Sequence, residues 1–130
     1  MRRAPARRAA PPGAESSNRS EPDLCRRTSR LVNERLAEIV ALHPERFVAL
    51  GAVPMQDPQL AVAELEYCMK ELGFRGMEIG TNVRRVELSD ERFNPVFAKA
   101  EELGAVVFLH PSGFTDTSPW CSARSSSSTW

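Results

Sequence analysis

The sequence has 130 residues, with 17 basic and 17 acidic side chains, 42% hydrophobic residues and three cysteines. This length allows one modest domain and leaves no room for a second. The longest apolar stretches, such as residues 105–109, are far shorter than the roughly 20 residues that span a bilayer, which excludes an integral membrane protein. The cysteines are widely spaced and form no CxxC pair. We therefore expect neither a disulfide scaffold nor a cysteine-based zinc site, and we predict a cytoplasmic protein.

The net charge of zero conceals an uneven distribution. Residues 1–30 hold eight arginines against three acidic residues, a difference of +5, whereas residues 31–130 hold 9 basic and 14 acidic side chains, a difference of −5. A basic segment beside an acidic body raises the question of nucleic-acid binding. No aromatic residue lies between those arginines to stack on a base, and four prolines interrupt any continuous basic helix. We therefore expect no nucleic-acid partner.

The two ends of the chain differ in composition from its middle. Residues 1–23 contain Arg, Ala, Pro and Ser but no apolar side chain larger than alanine after Met1, so we predict that they are a disordered leader. The leader loosely matches a mitochondrial transit peptide, although its prolines argue against the amphipathic helix of such peptides. Residues 115–130 are rich in serine and show no periodicity, which predicts an unstructured tail. The predicted globular part is residues 24–114.

Helical and extended patterns alternate along this globular part. An apolar stripe predicts a first helix that ends at His43-Pro44, and its members are Leu31, Val32, Leu36, Ile39, Val40 and Leu42. Residues 47–53 then form a short apolar run that predicts a buried strand. Asp57-Pro58 begins a second helix with the stripe Leu60, Val62, Ala63, Leu65, Met69 and Leu72, and Gly73 ends it.

The same pattern recurs in the next segment. Residues 76–80 predict a second strand, and a polar loop through Asn82 and Arg85 follows it. Asn94-Pro95 begins a third helix with Val96, Phe97, Ala100 and Leu103, and residues 105–109 predict a third strand that ends at His110-Pro111. The predicted strands begin near residues 47, 76 and 105, a constant spacing of 29 residues. Two consecutive βαβ units of this kind predict an α/β fold with a parallel sheet.

Three strands do not complete any common parallel architecture. A doubly wound sheet usually needs five or six strands, and a (β/α)8 barrel needs roughly 250 residues. Both edge strands would also leave unpaired backbone groups. We therefore interpret the chain as part of a larger domain.

Ligands of parallel α/β folds bind at the carboxyl ends of the strands, which makes His110 the outstanding candidate residue. The preceding apolar strand would deliver its imidazole to the rim where barrel enzymes bind metals. As a metal ligand it would be neutral, with the other ring nitrogen held by a partner. The alternative is a histidine that is simply hydrogen-bonded at the end of a strand. Position alone leaves both interpretations open.

The other candidate residues have plainer interpretations. His43 lies at the opposite rim, where we expect it to cap a helix, and Cys68 lies beside an apolar stripe, where we expect it to pack in the core. Glu78 lies inside a strand and either points into a barrel or faces a helix. Arg84 and Arg85 either attract a carboxylate substrate or lie on a solvated loop. The nucleotide-binding patterns GxGxxG and GxxxxGK[ST] and the nucleophile elbow GxSxG do not occur.

An ordered series of segments resembles the amidohydrolase-related family. Residues 33–55 read NERLAEIVALHPERFVALGAVPM, and the likeness continues through QDP at 56–58, ELGFRG at 71–76 and EIGTNV at 78–83. Further matches are LSD at 88–90, PVF at 95–97, AEELG at 100–104 and VFLHP at 107–111. Within the family, the chain is most similar to the branch of aminocarboxymuconate-semialdehyde decarboxylase and related metal-dependent carboxy-lyases. The resemblance covers residues 31–112.

The resemblance implies a (β/α)8 barrel around one divalent metal, usually zinc, that acts on a small-molecule carboxylate. The family's ligands are an HxH pair after the first strand, a His after the fifth, a His after the sixth and an Asp after the eighth. His110 matches the fifth-strand ligand, in its context of apolar strand, His and Pro. The other ligands have no counterpart, since the sequence contains no HxH and only one further histidine, His43. The chain thus corresponds to strands three to five of the barrel. A single ligand binds zinc only weakly, so we expect weak zinc binding and no activity from this chain alone.

Three interpretations follow from the resemblance. The chain is part of a metal-dependent carboxy-lyase, part of a hydrolase of the same superfamily that acts on an ester, lactone or amide, or a non-enzymatic fragment that pairs with another subunit through its open sheet edges. A homo-oligomer is compatible with each of them. The residues that select between loss of CO2 and hydrolysis lie largely on strands that this sequence does not contain.

Overall fold

The computed structural model describes residues 7–9 and 21–111. The first helix, α1, spans Pro22–Leu42, with Pro22 in its first turn, where the missing N–H is not needed, and Asp23 beside the positive end of the helix dipole. It ends at His43, whose backbone N–H donates to the carbonyl of Val40 at 3.1 Å. None of the helices in these ranges is long and apolar enough to cross a membrane.

The sheet has the parallel topology that the repeating pattern predicts. After α1 come β2, Phe47–Ala49, and β3, Gly51–Ala52, separated only by Leu50. β4 spans Gly76–Gly80 and β7 spans Val106–His110, and the strands β3, β4 and β7 pair in that order. Every pairing among them is parallel. The prediction of an α/β fold is therefore confirmed.

The leader departs in part from the predicted disorder. The residues Arg7–Ala9 form a strand, β1, that pairs parallel with β2, with Ala9 opposite Ala49. With α1 between them, β1 and β2 form one more βαβ unit, which a segment of arginine and alanine did not suggest. The other residues of the predicted leader up to Ser20, and the serine-rich tail from Ser112 onward, lie outside the described residues.

Two further helices connect the strands. α2, Pro58–Lys70, begins at Asp57, whose side chain accepts hydrogen bonds from the backbone N–H groups of Gln59 and Leu60. A 3-10 turn, Glu91–Phe93, leads into α3, Asn94–Leu103. Gly104 ends α3 in the left-handed conformation, with φ of 64°, which glycine adopts without steric cost.

The helices α2 and α3 cover one face of the sheet. Met77 and Ile79 of β4 pack there against Leu65 of α2 and Val96 of α3, and all four side chains are buried. β4 is buried along its whole length because it lies between two strands, whereas β7 is an edge strand in the described part of the chain, with Val106 54% and Leu109 49% exposed. The described sheet is thus open along its β7 edge.

The buried face of α1 differs from the predicted apolar stripe. Leu31, Ile39 and Leu42 of that stripe are exposed, and the buried residues of the helix are Cys25, Ser29, Asn33 and Leu36. The physical reason is that backbone N–H and C=O groups at this edge of the sheet need hydrogen-bond partners, which apolar side chains cannot supply. The amide of Asn33 donates to the carbonyl of Ala52 at 2.9 Å and accepts from its N–H at 2.8 Å.

The predicted polar loop after β4 is a hairpin. β5, Asn82–Val83, pairs antiparallel with β6, Val86–Glu87, and Arg84 and Arg85 form the turn between them. Both arginines have positive φ, at 50° and 67°. Two-residue hairpin turns of this shape favour Asn-Gly, because a side chain at positive φ crowds the backbone.

We expect Arg85→Gly to raise the free energy of unfolding by about 1 kcal/mol, since it relieves this crowding at one turn position. The backbone N–H of residue 85 would keep its hydrogen bond to the Asn82 side chain, which spans 3.3 Å. Urea denaturation of the full chain measures the change. Arg85→Lys retains a Cβ atom and serves as the control without a gain, and a loss of stability in Arg85→Gly would contradict the prediction.

Candidate functional site

Two chemically active side chains lie on one face of the central strand pair. β4 and β7 pair throughout their length, with Glu78 opposite Phe108 and Gly80 opposite His110. Alternate residues of a strand point to the same face, so Glu78, Phe108 and His110 share one face near the carboxyl ends of both strands. The sheet register therefore brings together an acid and a histidine that are 32 residues apart.

This face lies opposite the helices. Met77 and Ile79, the neighbours of Glu78 on its own strand, point into the core formed with α2 and α3. Glu78 therefore points away from the helices, toward the side that lines the interior when a sheet of this kind closes into a barrel. The two orientations that the sequence left open for Glu78 are thereby resolved in favour of the barrel interior.

The two side chains are in direct contact. Nδ1 of His110 lies 3.1 Å from Oε1 of Glu78, within hydrogen-bond distance. Glu78 is only 4% exposed, whereas the side chain of His110 is 49% exposed. The ring of Phe108 packs edge-on against the imidazole, with centroids 6.4 Å apart and an interplanar angle of 80°. The carboxyl group of Glu78 is therefore buried in the fold, whereas the imidazole of His110 is half exposed.

The remaining candidate residues do not join this pair. His43 is the C-cap residue of α1, and its ring packs against Phe47 at 6.2 Å. Cys68 is fully buried, as predicted for a core residue, and both it and Cys25 are free thiols. Arg84 and Arg85 lie at the tip of the hairpin that follows β4, where both are exposed.

Cys68 is expected to resist alkylation in the folded protein. Burial raises the pKa of its thiol to about 12, and the thiolate is the form that reacts. Iodoacetamide at pH about 9, near the ordinary range of a free thiol, should leave Cys68 unmodified in native buffer and label it fully in urea. Peptide mapping by mass spectrometry identifies the labelled cysteine, and rapid labelling of Cys68 in native buffer would contradict its burial.

The described residues meet only part of the requirements of a metal site. An imidazole at the carboxyl end of a strand, with one ring nitrogen in contact with a carboxylate, is a common form of metal-binding histidine. A catalytic zinc site takes three protein ligands or more, and residues 21–111 hold no cluster of three His, Cys, Asp or Glu side chains. Among the described residues, His110 is therefore a candidate for a single ligand position.

The pairing of Glu78 with His110 was not anticipated from the sequence, although a signal was present. Within GMEIG at 76–80 the acid stands between two apolar residues, which predicts that it faces away from the core side. A residue-for-residue alignment of the predicted strands, 76–80 and 105–109, would however have placed Glu78 on the same face as Val107. The observed register is shifted by one residue, with Gly76 opposite Val106, and periodicity does not reveal this shift.

Parallel strands with helices on one face, and a histidine at the carboxyl end of one strand, are the arrangement found along the wall of a (β/α)8 barrel. Residues 1–126 match the family described as amidohydrolase, Amidohydro_2. The chain belongs to this family.

Several relatives of the chain are decarboxylases. It is 41% identical over 83 residues to 2-amino-3-carboxymuconate-6-semialdehyde decarboxylase of Dictyostelium discoideum, which covers 64% of this chain and 23% of the relative. It is 41% identical over 90 residues to γ-resorcylate decarboxylase of Polaromonas sp. strain JS666, covering 65% of this chain and 28% of the relative. The chain thus spans about a quarter of the length of these relatives.

A solved structure of the family has the same fold. The 5-carboxyvanillate decarboxylase of Novosphingobium aromaticivorans superposes with a TM-score of 0.80 at 26% identity, covering 92% of this chain and 35% of the other. That structure contains manganese and 3-methoxy-4-hydroxy-5-nitrobenzoic acid. A divalent metal and small-molecule carboxylates are therefore features of the family, whereas zinc in particular stays a prediction.

Proposed function

We propose that this chain is the part of a metal-dependent carboxy-lyase that supplies one metal ligand, His110. The observation that supports the proposal most is the position of His110 at the carboxyl end of β7, on the face opposite the helices, in a chain with several decarboxylases among its relatives. The contact with Glu78 uses Nδ1, so a metal would bind through Nε2. The further ligands of the site would come from outside the described residues.

The substrate class follows from the same relatives. Two relatives are decarboxylases of a carboxymuconate semialdehyde and of γ-resorcylate, and the solved relative contains a substituted benzoic acid. We therefore propose a small aromatic or muconate-like carboxylate as the substrate. The metal is proposed to be divalent, with manganese and zinc as the two ions to compare, and a cytoplasmic location and a homo-oligomeric state stay predictions.

The test begins with the sequence of the transcript through residues 30 and 114. The protein that this transcript encodes is purified, loaded with Mn2+ or Zn2+, and assayed for CO2 release from γ-resorcylate and a carboxymuconate semialdehyde. We expect CO2 release that falls by about 100-fold or more in His110→Ala, because loss even of a partner that only orients a ligand costs 10–100-fold. His43→Ala is the control, since it changes the only other histidine and lies at the opposite rim.

Two outcomes would overturn the proposal. Hydrolysis of lactones without CO2 release would favour the hydrolase interpretation. A transcript that encodes only these residues, with a folded product that releases no CO2, would favour the non-enzymatic interpretation.

A further inference from the structure

The side chain of Glu78 has a place in the site that the ligand assignment does not explain. We propose that Glu78 is a positioning residue for His110: it accepts a hydrogen bond from Nδ1–H and thereby holds the imidazole in the tautomer whose Nε2 carries the lone pair. The functional meaning of this role rests on the proposed function, because it presents Nε2 to a metal only if His110 is a ligand. The hydrogen bond and the tautomer are testable without any metal.

The first support is that Glu78 stands on the central strand of the described sheet. β4 pairs on both sides, with β3 and with β7, and all five of its residues are buried. His110 ends the edge strand β7, and its side chain is half exposed. The buried carboxyl group of Glu78 therefore orients the exposed ring of His110, and the ring does not orient the carboxyl group.

The second support is the direction of the hydrogen bond. An ionised carboxylate only accepts hydrogen bonds, so beside an ionised Glu78 the ring nitrogen 3.1 Å from Oε1 is the donor. In a neutral imidazole one nitrogen donates and the other accepts, and a proton on Nδ1 leaves the lone pair on Nε2. Phe108, edge-on against the same ring, further restricts its rotation.

The third support is the cost of burying an acid in an open strand face without a purpose. A buried carboxylate is strongly disfavoured unless it is paired and hydrogen-bonded, and an apolar residue at position 78 would avoid that cost. An acceptor oxygen at this position offsets the cost when it makes a specific hydrogen bond. The contact with Nδ1 of His110 is such a hydrogen bond.

The experiment reads the tautomer directly by NMR. The full chain is labelled with 15N-histidine and studied without metal at pH about 8.5, where an ordinary imidazole is neutral. Two-bond 15N–1H correlations distinguish the protonated from the unprotonated ring nitrogen, and His43→Gln assigns the two histidines. We expect His110 in the Nδ1–H form in the native protein, against the Nε2–H form that a free imidazole prefers.

Three variants separate positioning from a purely structural role. Glu78→Met keeps the volume and removes the acceptor, and we expect His110 to change to a mixture dominated by Nε2–H. Glu78→Gln keeps a carbonyl acceptor, and we expect it to retain the Nδ1–H form. Glu87→Met makes the same change at an exposed glutamate of the neighbouring hairpin and should leave the His110 signals unchanged.

The outcomes distinguish this inference from the proposed function. Native His110 in the Nε2–H form, or a Glu78→Met variant that folds and keeps the Nδ1–H form, would overturn the role of Glu78. If Glu78→Met does not fold, the native tautomer and its retention in Glu78→Gln decide the question. Addition of Zn2+ to the transcript-encoded protein without any shift of His110 Nε2 would instead overturn the ligand assignment, while the role of Glu78 in fixing the tautomer would stand.

Discussion

Replacing Asn33 with alanine is expected to lower the free energy of unfolding by about 4 kcal/mol, because several buried polar groups lose their hydrogen-bond partners and the costs add. The Asn33 amide is completely buried and makes three hydrogen bonds, two to the backbone of Ala52 and one, at 2.9 Å, to Oε1 of Glu64. Alanine would leave the N–H and C=O of Ala52 without these partners in a site that water does not reach. Urea denaturation of the full chain measures the loss.

The carboxylate of Glu64 makes this site more sensitive than a single hydrogen bond would be. Glu64 is 1% exposed and is held by Arg30, whose Nη2 lies 2.8 Å from Oε2. The guanidinium of Arg30 also lies 3.5 Å above the ring of Tyr67, which fixes it over α2. Loss of Asn33 therefore removes one of the few donors to a buried charge, and such losses are among the most destabilising single changes.

Two comparison variants make the Asn33 result interpretable. Asn33→Asp retains an acceptor for the Ala52 N–H but loses the donor and places a second acid beside Glu64, so we expect at least as large a loss. Arg35→Ala removes an exposed ion pair with Glu38 on the same helix and should change stability by less than about 0.5 kcal/mol. A loss below about 1 kcal/mol in Asn33→Ala would show that this amide does not connect α1 to the sheet.

The fold could be predicted wherever burial follows hydrophobicity. Val96 and Ala100 of α3 are buried, as the helical period predicts, and the constant spacing of the strands correctly gave a parallel sheet. The prediction failed for part of α1: Leu36 is buried as predicted, but the buried face also includes Ser29 and Asn33, and a polar residue on a helix is read as solvent-facing. The amide of Asn33 binds the backbone of Ala52 at the edge of the sheet. The position of that edge relative to α1 is set by the tertiary structure and cannot be read from the helical pattern.

The candidate site was predictable as a residue and not as an arrangement. His110 stood out because it follows an apolar strand, and the α/β fold places strand ends at a binding rim. Its partner Glu78 lies on another strand, and their contact depends on a register that opposes Gly80 to His110. Likewise, β1 and the hairpin at Arg84 and Arg85 depend on pairings with distant or strained segments, for which local propensity gives no signal.

Gly76→Ala is expected to lower the free energy of unfolding by a similarly large amount, because Gly76 lies opposite Val106 where β4 and β7 approach closely. A Cβ atom at residue 76 would lie 1.9 Å from the carbonyl oxygen of Val106 and 2.6 Å from its carbonyl carbon. Both neighbours are backbone atoms of β7, so the clash cannot be relieved by a side-chain rotation. We expect a loss of about 3 kcal/mol or more in the free energy of unfolding, measured by urea denaturation.

A second glycine separates the steric cost from the conformational one. Gly104, like Gly76, has positive φ, at 64° against 158°, but an added Cβ would meet nothing within 4 Å, so Gly104→Ala should cost only about 1 kcal/mol. Equal losses in the two variants would contradict the close approach of β4 and β7. Because of this approach, Gly76→Ala is expected to displace β7 relative to β4, and Glu78 then loses its contact with His110. The folded fraction of that variant should therefore show His110 with the Nε2–H tautomer, although neither residue of the pair has been changed.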